Sequence, residues 1–169
     1  MSSKTPYISI LVPIYNASFH IPILIKSIQK QTYANWELLL VDDGSKDNSL
    51  ELCNKYAAED ARIKVLHQEN QGPSAARNKG LLAARGEWVT FVDADDSLLD
   101  CFLSSMVEML HCEQDIDIAI FAEHSNTRFS DVVDSLDSKY SEYQGYGACE
   151  KITLLAKKEY RIEIKREQS

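Results

Sequence analysis

Hydrophobic residues in the first two thirds of the chain fall into short blocks of two kinds. Continuous β-branched and aliphatic runs such as "YISILVPIY" are each followed by a segment whose apolar residues recur every three or four positions. Continuous runs are typical of strands buried on both faces, and the longer period is typical of helices packed on such a sheet. The pattern therefore predicts strands and helices in alternation.

Strands are predicted at residues 7–15, 36–43, 62–68, 87–94 and 115–122. Helices are predicted to begin near Pro22, to cover 46–60, to run from Pro73 to a stop at Gly86, and to cover 98–111. Proline is tolerated in the first turn of a helix, and glycine often follows the last turn. Alternating strands and helices favour a mostly parallel sheet with right-handed crossovers, so we expect an α/β fold.

The pattern changes after Ala122. Residues 123–147 are polar, rich in Ser, Asp and Tyr, and without clear periodicity. The last block begins at Cys149 with apolar residues at helical spacing and then alternates, so helix and strand both remain open there. We therefore divide the chain into a core, residues 1–121, and a variable C-terminal segment, residues 122–169.

Composition narrows the class of protein. A length of 169 residues with 44% hydrophobic content suits one domain with a core of its own. The net charge of -8 argues against a nucleic-acid binder that relies on a basic face. Four widely spaced cysteines give little support to a zinc site or a disulfide framework. The start is unlike a signal peptide and no apolar run approaches a membrane span, so a cytoplasmic protein is the default expectation.

Polar residues follow three of the predicted strands. The end of the first strand carries Pro13, Tyr15 and Asn16, the second ends in Asp42 and Asp43, and the fourth ends in "DADD". The carboxyl ends of parallel strands meet at one edge of a sheet, where α/β folds bind their ligands. The sequence therefore predicts a polar ligand site at this edge.

The acidic pair in Asp93-Ala94-Asp95 suits a hard divalent cation, because Mg²⁺ and Mn²⁺ take one or two carboxylates and complete their shell with water and phosphate oxygens. The alternative is a solvated turn in which Asp96 or Ser97 caps the next helix. An ordinary strand-to-helix turn is likewise the alternative for Asp42-Asp43-Gly44-Ser45. The phosphate-loop pattern GxxxxGK[ST] and the dinucleotide pattern GxGxxG are both absent. A phosphoacceptor receiver domain is disfavoured, because the third strand ends in "VLHQEN" without an acceptor Asp.

The blocks "ISILVPIYNA", "WELLLVDDGSKDNS" and "NQGPSAARNKGLLAARGEWVTFVDADD", in this order and spacing, resemble glycosyltransferase family 2. The resemblance runs from about Tyr7 to about Phe121. It implies an inverting, nucleotide-sugar-dependent, hexosyltransferase-like enzyme. It also implies a GT-A fold, which is a Rossmann-like, mostly parallel sheet flanked by helices, here with a short atypical C-terminal segment.

The resemblance also implies roles for residues. Those implied for the nucleotide base and ribose are Pro13, Tyr15, Asp42 and Asp43, with Asp43 as the contact to the base. Arg77 would be a cation for the base or the diphosphate, and a surface arginine on a helix is its alternative.

The acidic motif would complete the nucleotide-sugar site. Asp93, followed by Ala94, would reach the ribose or a metal-bound water, and Asp95 would bind Mn²⁺ or Mg²⁺ directly. The metal would neutralise the UDP leaving group while an acceptor hydroxyl attacks from the opposite face, which inverts the anomeric carbon.

The catalytic base stays unassigned. Family members often place it in a Glu-Asp pair downstream of the acidic motif, but the Glu-Asp pair here is Glu59-Asp60, at the end of the second predicted helix. The C-terminal segment is also short for an acceptor-binding region. Two hypotheses therefore remain: an enzyme of cell-surface polysaccharide synthesis, and a truncated, catalytically incomplete nucleotide-sugar-binding module.

The partners expected from the first hypothesis are a UDP-sugar donor and a glycan or lipid-linked saccharide acceptor, without nucleic acid. A lipid-linked acceptor would bring the protein to the inner face of the membrane as a peripheral protein. The sequence leaves the oligomeric state open, with a homo-oligomer among the alternatives.

Overall fold

The predicted alternation is present in the computed structural model, which describes residues 7–112, 118–127 and 149–157. The strands are β1 (Ile8–Ile14), β2 (Trp36–Asp43), β3 (Ile63–Gln68), β4 (Trp88–Phe91), β5 (Ile118–Thr127) and β6 (Cys149–Lys157). The helices are α1 (Ile21–Gln29), α2 (Ser49–Glu59), α3 (Pro73–Ala83) and α4 (Phe102–Cys112).

The strands form one sheet in the order β3-β2-β1-β4-β6-β5. β1 pairs in parallel with β2 and with β4, and β2 pairs in parallel with β3. β6 lies antiparallel between β4 and β5. The α/β class is therefore confirmed. The chain order reverses between β1 and β4, and this is the point at which open α/β sheets form a crevice for ligands.

The core covers both faces of the sheet. Ile10 and Val12 alternate with Leu11 along β1, and all three are fully buried. The larger cluster joins one face to α1, α2 and α4, and the smaller one includes Leu11 and Ala84 at the end of α3. Gly80 allows α3 its close approach, because a Cβ there would lie 2.7 Å from Cδ2 of Leu11.

Two predicted helix boundaries were wrong because tertiary contacts override them. α3 ends at Ala83 rather than at Gly86, since the N–H of Arg85 donates to buried Glu37 and the N–H of Gly86 donates to Ser9 Oγ. α4 begins at Phe102, so the predicted cap by Asp96 or Ser97 is also wrong. The segment before α4 is instead bound to α1, where Leu98 N–H donates to Ser27 Oγ at 3.0 Å.

The C-terminal end that the sequence left open is a strand, β6, in its described part. The division of the chain at residue 121 stays a prediction, and most of residues 122–169 lie outside the described residues. Within the ranges that the structure describes, the helices are too short or too polar to cross a membrane.

Candidate functional site

A cleft of about 560 Å³ opens at the carboxyl edge of the parallel strands, beside the ends of β1 and β4. Its walls come from the ends of β1 and β2, from the segments that follow β1, β3 and β4, and from the first half of α3. It is lined by Pro13, Ile14, Tyr15, Asn16, Ala17, His20, Asp43, Asn70, Gly72, Pro73, Arg77, Asp93, Ala94 and Asp95. Every predicted nucleotide-sugar residue except Asp42 lies in this lining.

The loop after β1 is fixed by the loop after β2. Asn16 has a left-handed φ of 49°, its N–H donates to Ser45 Oγ at 3.1 Å, and its Oδ1 accepts from Lys46 N–H at 2.7 Å. The N–H of Ala17 donates to Ser49 Oγ at 2.8 Å. These bonds leave the Tyr15 side chain half exposed at the cleft wall. An amphipathic ring is thus held where a planar ligand could stack.

Asp43 holds the loop between β3 and α3. Its Oδ1 accepts from Gln68 Nε2 at 2.8 Å and Gln71 N–H at 2.9 Å, and its Oδ2 accepts from Gly72 N–H at 2.8 Å. A carboxylate has about four acceptor sites, so Oδ2 retains capacity for one more donor. Asp43 is therefore both a structural clamp for this loop and a candidate ligand contact.

Gly44 allows the two loops to meet. Its φ of +71° favours glycine, and a Cβ there would lie only 2.8 Å from the backbone nitrogen of Asn70. The close approach sets Asn70 in the cleft wall. A side chain at position 44 would displace that wall.

Asp42 lies on the opposite face of β2 from Asp43, because successive strand residues point to opposite faces. It is completely buried, and its Oδ2 lies 2.8 Å from His67 Nδ1. The structure thus places Asp42 outside the cleft lining. Its role in nucleotide binding stays a prediction that no contact with the cleft supports.

Arg77 and Asp93 form an ion pair across the cleft floor, with Nη2 and Oδ1 separated by 2.7 Å. The Arg77 side chain is 23% exposed and that of Asp93 is 49% exposed. Arg77 therefore faces the cleft rather than bulk solvent. The pair provides one cation and one carboxylate at the position where α3 meets the end of β4.

A tight turn presents Asp95 to solvent at the rim. Asp96 closes this turn, because its Oδ2 accepts from Asp93 N–H at 3.2 Å and its N–H donates to the Asp93 carbonyl at 3.1 Å. Asp95 is exposed and takes part in no ion pair among the described residues. Its carboxylate is thus accessible to a cation.

The described part of the chain contains no cluster of three or more His, Cys, Asp or Glu side chains around a common centre. A metal enclosed by protein ligands does not fit these residues. A hard cation bound by Asp95, water and substrate phosphates does fit, because Mg²⁺ and Mn²⁺ sites of this kind use one or two carboxylates.

Several lining residues had no predicted role. Asn16 was placed at the strand end without a function, and His20 and Asn70 were missed. The sequence carries one usable signal, the "NQGP" stretch, where Gly72 directly precedes the proline that begins α3. His20 carries no such signal, because it precedes α1 in an otherwise apolar stretch.

Comparison with known proteins matches residues 9–161 to the model of glycosyl transferase family 2. Glycosyltransferase GlyG of Streptococcus pneumoniae is 44% identical over 114 residues, which is 67% of this chain and 38% of that protein.

The chain is also similar to solved structures of glycosyltransferases. S. aureus TarS in complex with UDP-GlcNAc has a TM-score of 0.63 and 30% identity, over 70% of this chain and 34% of that one. The mannosyltransferase PcManGT from Pyrobaculum calidifontis, in complex with GDP-Man and Mn²⁺, has a TM-score of 0.61 over 78% of this chain and 39% of that one. Its identity of 23% shows the fold alone. The chain spans less than two fifths of the length of these three proteins.

Proposed function

The chain belongs to glycosyltransferase family 2, and on that premise we propose that its cleft binds the nucleotide of a UDP-sugar donor. The observation that carries the proposal is the convergence of residues from four segments on one cleft. Pro13 lies at the end of β1 and Tyr15 directly after it. Asp43 ends β2, Arg77 belongs to α3, and Asp95 lies in the turn after β4.

The uracil and ribose would occupy the part of the cleft between the β1 and β3 ends. Tyr15 offers an exposed ring for stacking, and the remaining acceptor site of Asp43 Oδ2 suits the N3–H of uracil. Asp43 is only 3% exposed, so this bond would form away from competing water. A carboxylate in that position favours a base with a ring N–H donor over cytosine, whose N3 is an acceptor.

The diphosphate would extend toward the ion pair. Arg77 is the cation of the cleft floor, and an arginine matches phosphate oxygens by donating two parallel hydrogen bonds. In the structure without ligand, Arg77 is ion-paired with Asp93. Donor binding would therefore replace the carboxylate partner of Arg77 with a phosphate. Asp95 would hold Mn²⁺ or Mg²⁺, which supplies charge neutralisation for the diphosphate leaving group.

In the reaction that we propose, the sugar passes with inversion to a glycan or lipid-linked acceptor during cell-surface polysaccharide synthesis. TarS binds UDP-GlcNAc and GlyG is a glycosyltransferase, which supports this class of donor and reaction. We place the protein in the cytoplasm, at the inner membrane face when its acceptor is lipid-linked.

The proposal is tested by thermal unfolding with UDP, CDP and GDP, each with and without Mn²⁺. We expect UDP with Mn²⁺ to raise the Tm most, because a ligand that binds only the folded state stabilises it by mass action. The Asp95→Asn variant should keep the unliganded Tm and lose the effect of Mn²⁺ on UDP binding. Asp100→Asn, a change at an exposed carboxylate outside the cleft lining, is the matched control.

Two outcomes would contradict the proposal: no stabilisation by any nucleotide with metal, or equal loss of the Mn²⁺ effect in Asp95→Asn and Asp100→Asn. Donor hydrolysis and transfer assays then separate the two remaining hypotheses. Turnover supports the enzyme, and tight UDP binding without turnover across an acceptor panel supports the binding module.

A further inference from the structure

Asp42 is a buried carboxylate that the cleft does not use. It has no exposed surface, and among the described residues its Oδ1 atom has no hydrogen-bond partner. Its Oδ2 accepts from Ser45 N–H at 3.4 Å and lies 2.8 Å from Nδ1 of His67. A buried carboxylate with unused acceptor capacity is costly unless a positive charge compensates it.

His67 is the group that can supply this charge. It faces Asp42 in the β2–β3 register, and its side chain is 54% exposed, so the ring exchanges protons with solvent. The α2 side places a thiol there rather than a cation: burial, and then the charges of Asp42 and Asp47, raise the pKa of Cys53 to about 12. Lys79 of α3 donates to the His67 carbonyl at 2.7 Å. Within the described ranges, His67 is the one basic group in ion-pair distance of Asp42.

Two hydrogen bonds in series connect Asp42 to the cleft. Ser45, whose N–H donates to Asp42, accepts from Asn16 N–H through its Oγ at 3.1 Å. Asn16 lines the cleft with a left-handed φ of 49°, a conformation that Asn tolerates and that its hydrogen bonds with Ser45 and Lys46 hold here. The Asp42 turn therefore fixes the backbone next to Tyr15.

We propose that His67 is a positioning residue for donor binding. Its protonated ring holds the ionised Asp42 carboxylate, and this carboxylate fixes Ser45 and, through it, Asn16 at the cleft. The ring itself lies outside the cleft lining. When the ring loses a proton, Nδ1–H can still donate to Asp42, but the compensating charge is gone. The loop should then loosen and nucleotide affinity should fall.

The coupling can be measured without a ligand. Backbone amide signals of Ser45 and Asn16 are followed by NMR across about pH 5–8, the range in which imidazoles titrate. We expect both amides to shift with one midpoint, equal to that of the His67 ring. His67→Gln retains a side-chain donor without titrating, so both shifts should vanish. Glu69→Gln changes an exposed carboxylate two residues beyond His67 and should leave them unchanged.

The donor part of the proposal, which rests on the proposed function, is tested by the Kd for UDP with Mn²⁺ at the two ends of this range. Titration of the UDP phosphate affects all variants equally and cancels in the comparison. Relative to His67→Gln, the wild type should lose about five-fold in affinity as the pH rises, the lower end of coupling between sites. Asp42→Asn should remove the same pH dependence.

Three results would overturn the proposal. In the first, the amide shifts of Ser45 and Asn16 in the wild type do not follow the titration of the His67 ring. In the second, the pH dependence of the Kd for UDP is the same in wild type and His67→Gln. In the third, Glu69→Gln abolishes the amide shifts or the pH dependence of the Kd as His67→Gln does. Coupled amide shifts in a protein that binds no UDP at any pH would instead overturn the donor assignment and leave the coupling between His67 and the Asn16 loop established.

Discussion

Glu37 and Asp43 lie on the same face of β2, at opposite ends of the strand and about 20 Å apart by strand geometry. Both carboxylates are almost completely buried. Glu37 is at the amino edge of the parallel strands, where the sheet is closed. Asp43 is at the carboxyl edge, where the cleft opens.

The bonds of the two carboxylates differ in kind. Glu37 accepts from Ser9 Oγ at 2.7 Å, from Arg85 N–H at 2.6 Å and from Lys64 Nζ at 2.5 Å, so its charge has a cation of its own. Among the described residues, the hydrogen bonds of Asp43 come from neutral amides, which are the side chain of Gln68 at the end of β3 and the backbone N–H groups of Gln71 and Gly72. A buried carboxylate is thus neutralised at one edge, and at the other it remains ready to bind a donor group from a ligand.

The carboxylates at the two edges of the sheet therefore differ in function: one stabilises the fold, and those at the other are available to a ligand. At the closed edge, removal of a carboxylate should cost stability and leave ligand binding intact. At the open edge, removal of the exposed Asp95 carboxylate should cost binding and leave stability intact. Variants at the two edges test this separation directly.

The largest effect on stability is expected from Glu37→Gln. The change removes the charge that accepts three hydrogen bonds and turns one acceptor oxygen into an amide donor. It should lower the free energy of unfolding by about 3 kcal/mol, because a hydrogen bond to a charged group contributes about 1.5–3 kcal/mol. Asp95→Asn should change it by less than about 0.5 kcal/mol, because the side chain is exposed. Urea unfolding of both variants measures the difference, and equal losses would remove the distinction between the edges.

A smaller effect on stability is expected from substitution of two glycines, one at each edge of the sheet. In Gly86→Ala at the closed edge, the new Cβ would lie 2.5 Å from the backbone nitrogen of Ser9, so stability should fall by roughly 2 kcal/mol. In Gly44→Ala at the open edge, the strained φ and the contact with Asn70 should lower stability by about 1 kcal/mol and weaken UDP binding as well. UDP binding that is weakened equally in both variants would contradict this prediction.

The smallest expected effect is a change in the pH dependence of stability. Burial raises the pKa of Glu37, but hydrogen bonds from Lys64, Ser9 and Arg85 N–H outweigh it and hold the pKa below its ordinary value. A lowered pKa stabilises the fold above the unfolded value, about 4.3 for Glu, and this contribution is lost as the pH falls through the folded value.

The stability difference between wild type and Glu37→Gln should therefore narrow below about pH 4. Asp60, whose pKa is lowered to about 2 chiefly by its hydrogen bond from Arg62, has the same acid dependence in both proteins and cancels. Urea unfolding at a series of pH values measures the difference. A constant difference from neutral pH to acid would show that Glu37 is not ionised in the folded state.

Most of the fold and the position of the site follow from local patterns. The strand runs and helical spacings predict β1–β4 and their helices, and the strand ends predict the edge at which the cleft opens. The separation of Asp42 from Asp43 also follows from strand alternation alone, although the family resemblance implied a nucleotide contact for both.

The remaining features depend on contacts between distant residues. In the sequence, Glu37 is a single polar residue in an apolar strand, without a sign of its bonds. Its partners Ser9, Lys64 and Arg85 lie 28, 27 and 48 positions away. The observed end of α3 differs from the predicted end for the same reason, because Arg85 and Gly86 bond to Glu37 and Ser9. The insertion of β6 between β4 and β5 is likewise a non-local pairing, for which periodicity within one segment carries no signal.

The most direct test of the central claim is a crystal structure of the protein with UDP and Mn²⁺. We expect uracil beside Tyr15 and within hydrogen-bond distance of Asp43, the diphosphate next to Arg77, and the ion bound to Asp95. A nucleotide bound outside the cleft, or an ion without contact to Asp95, would contradict it.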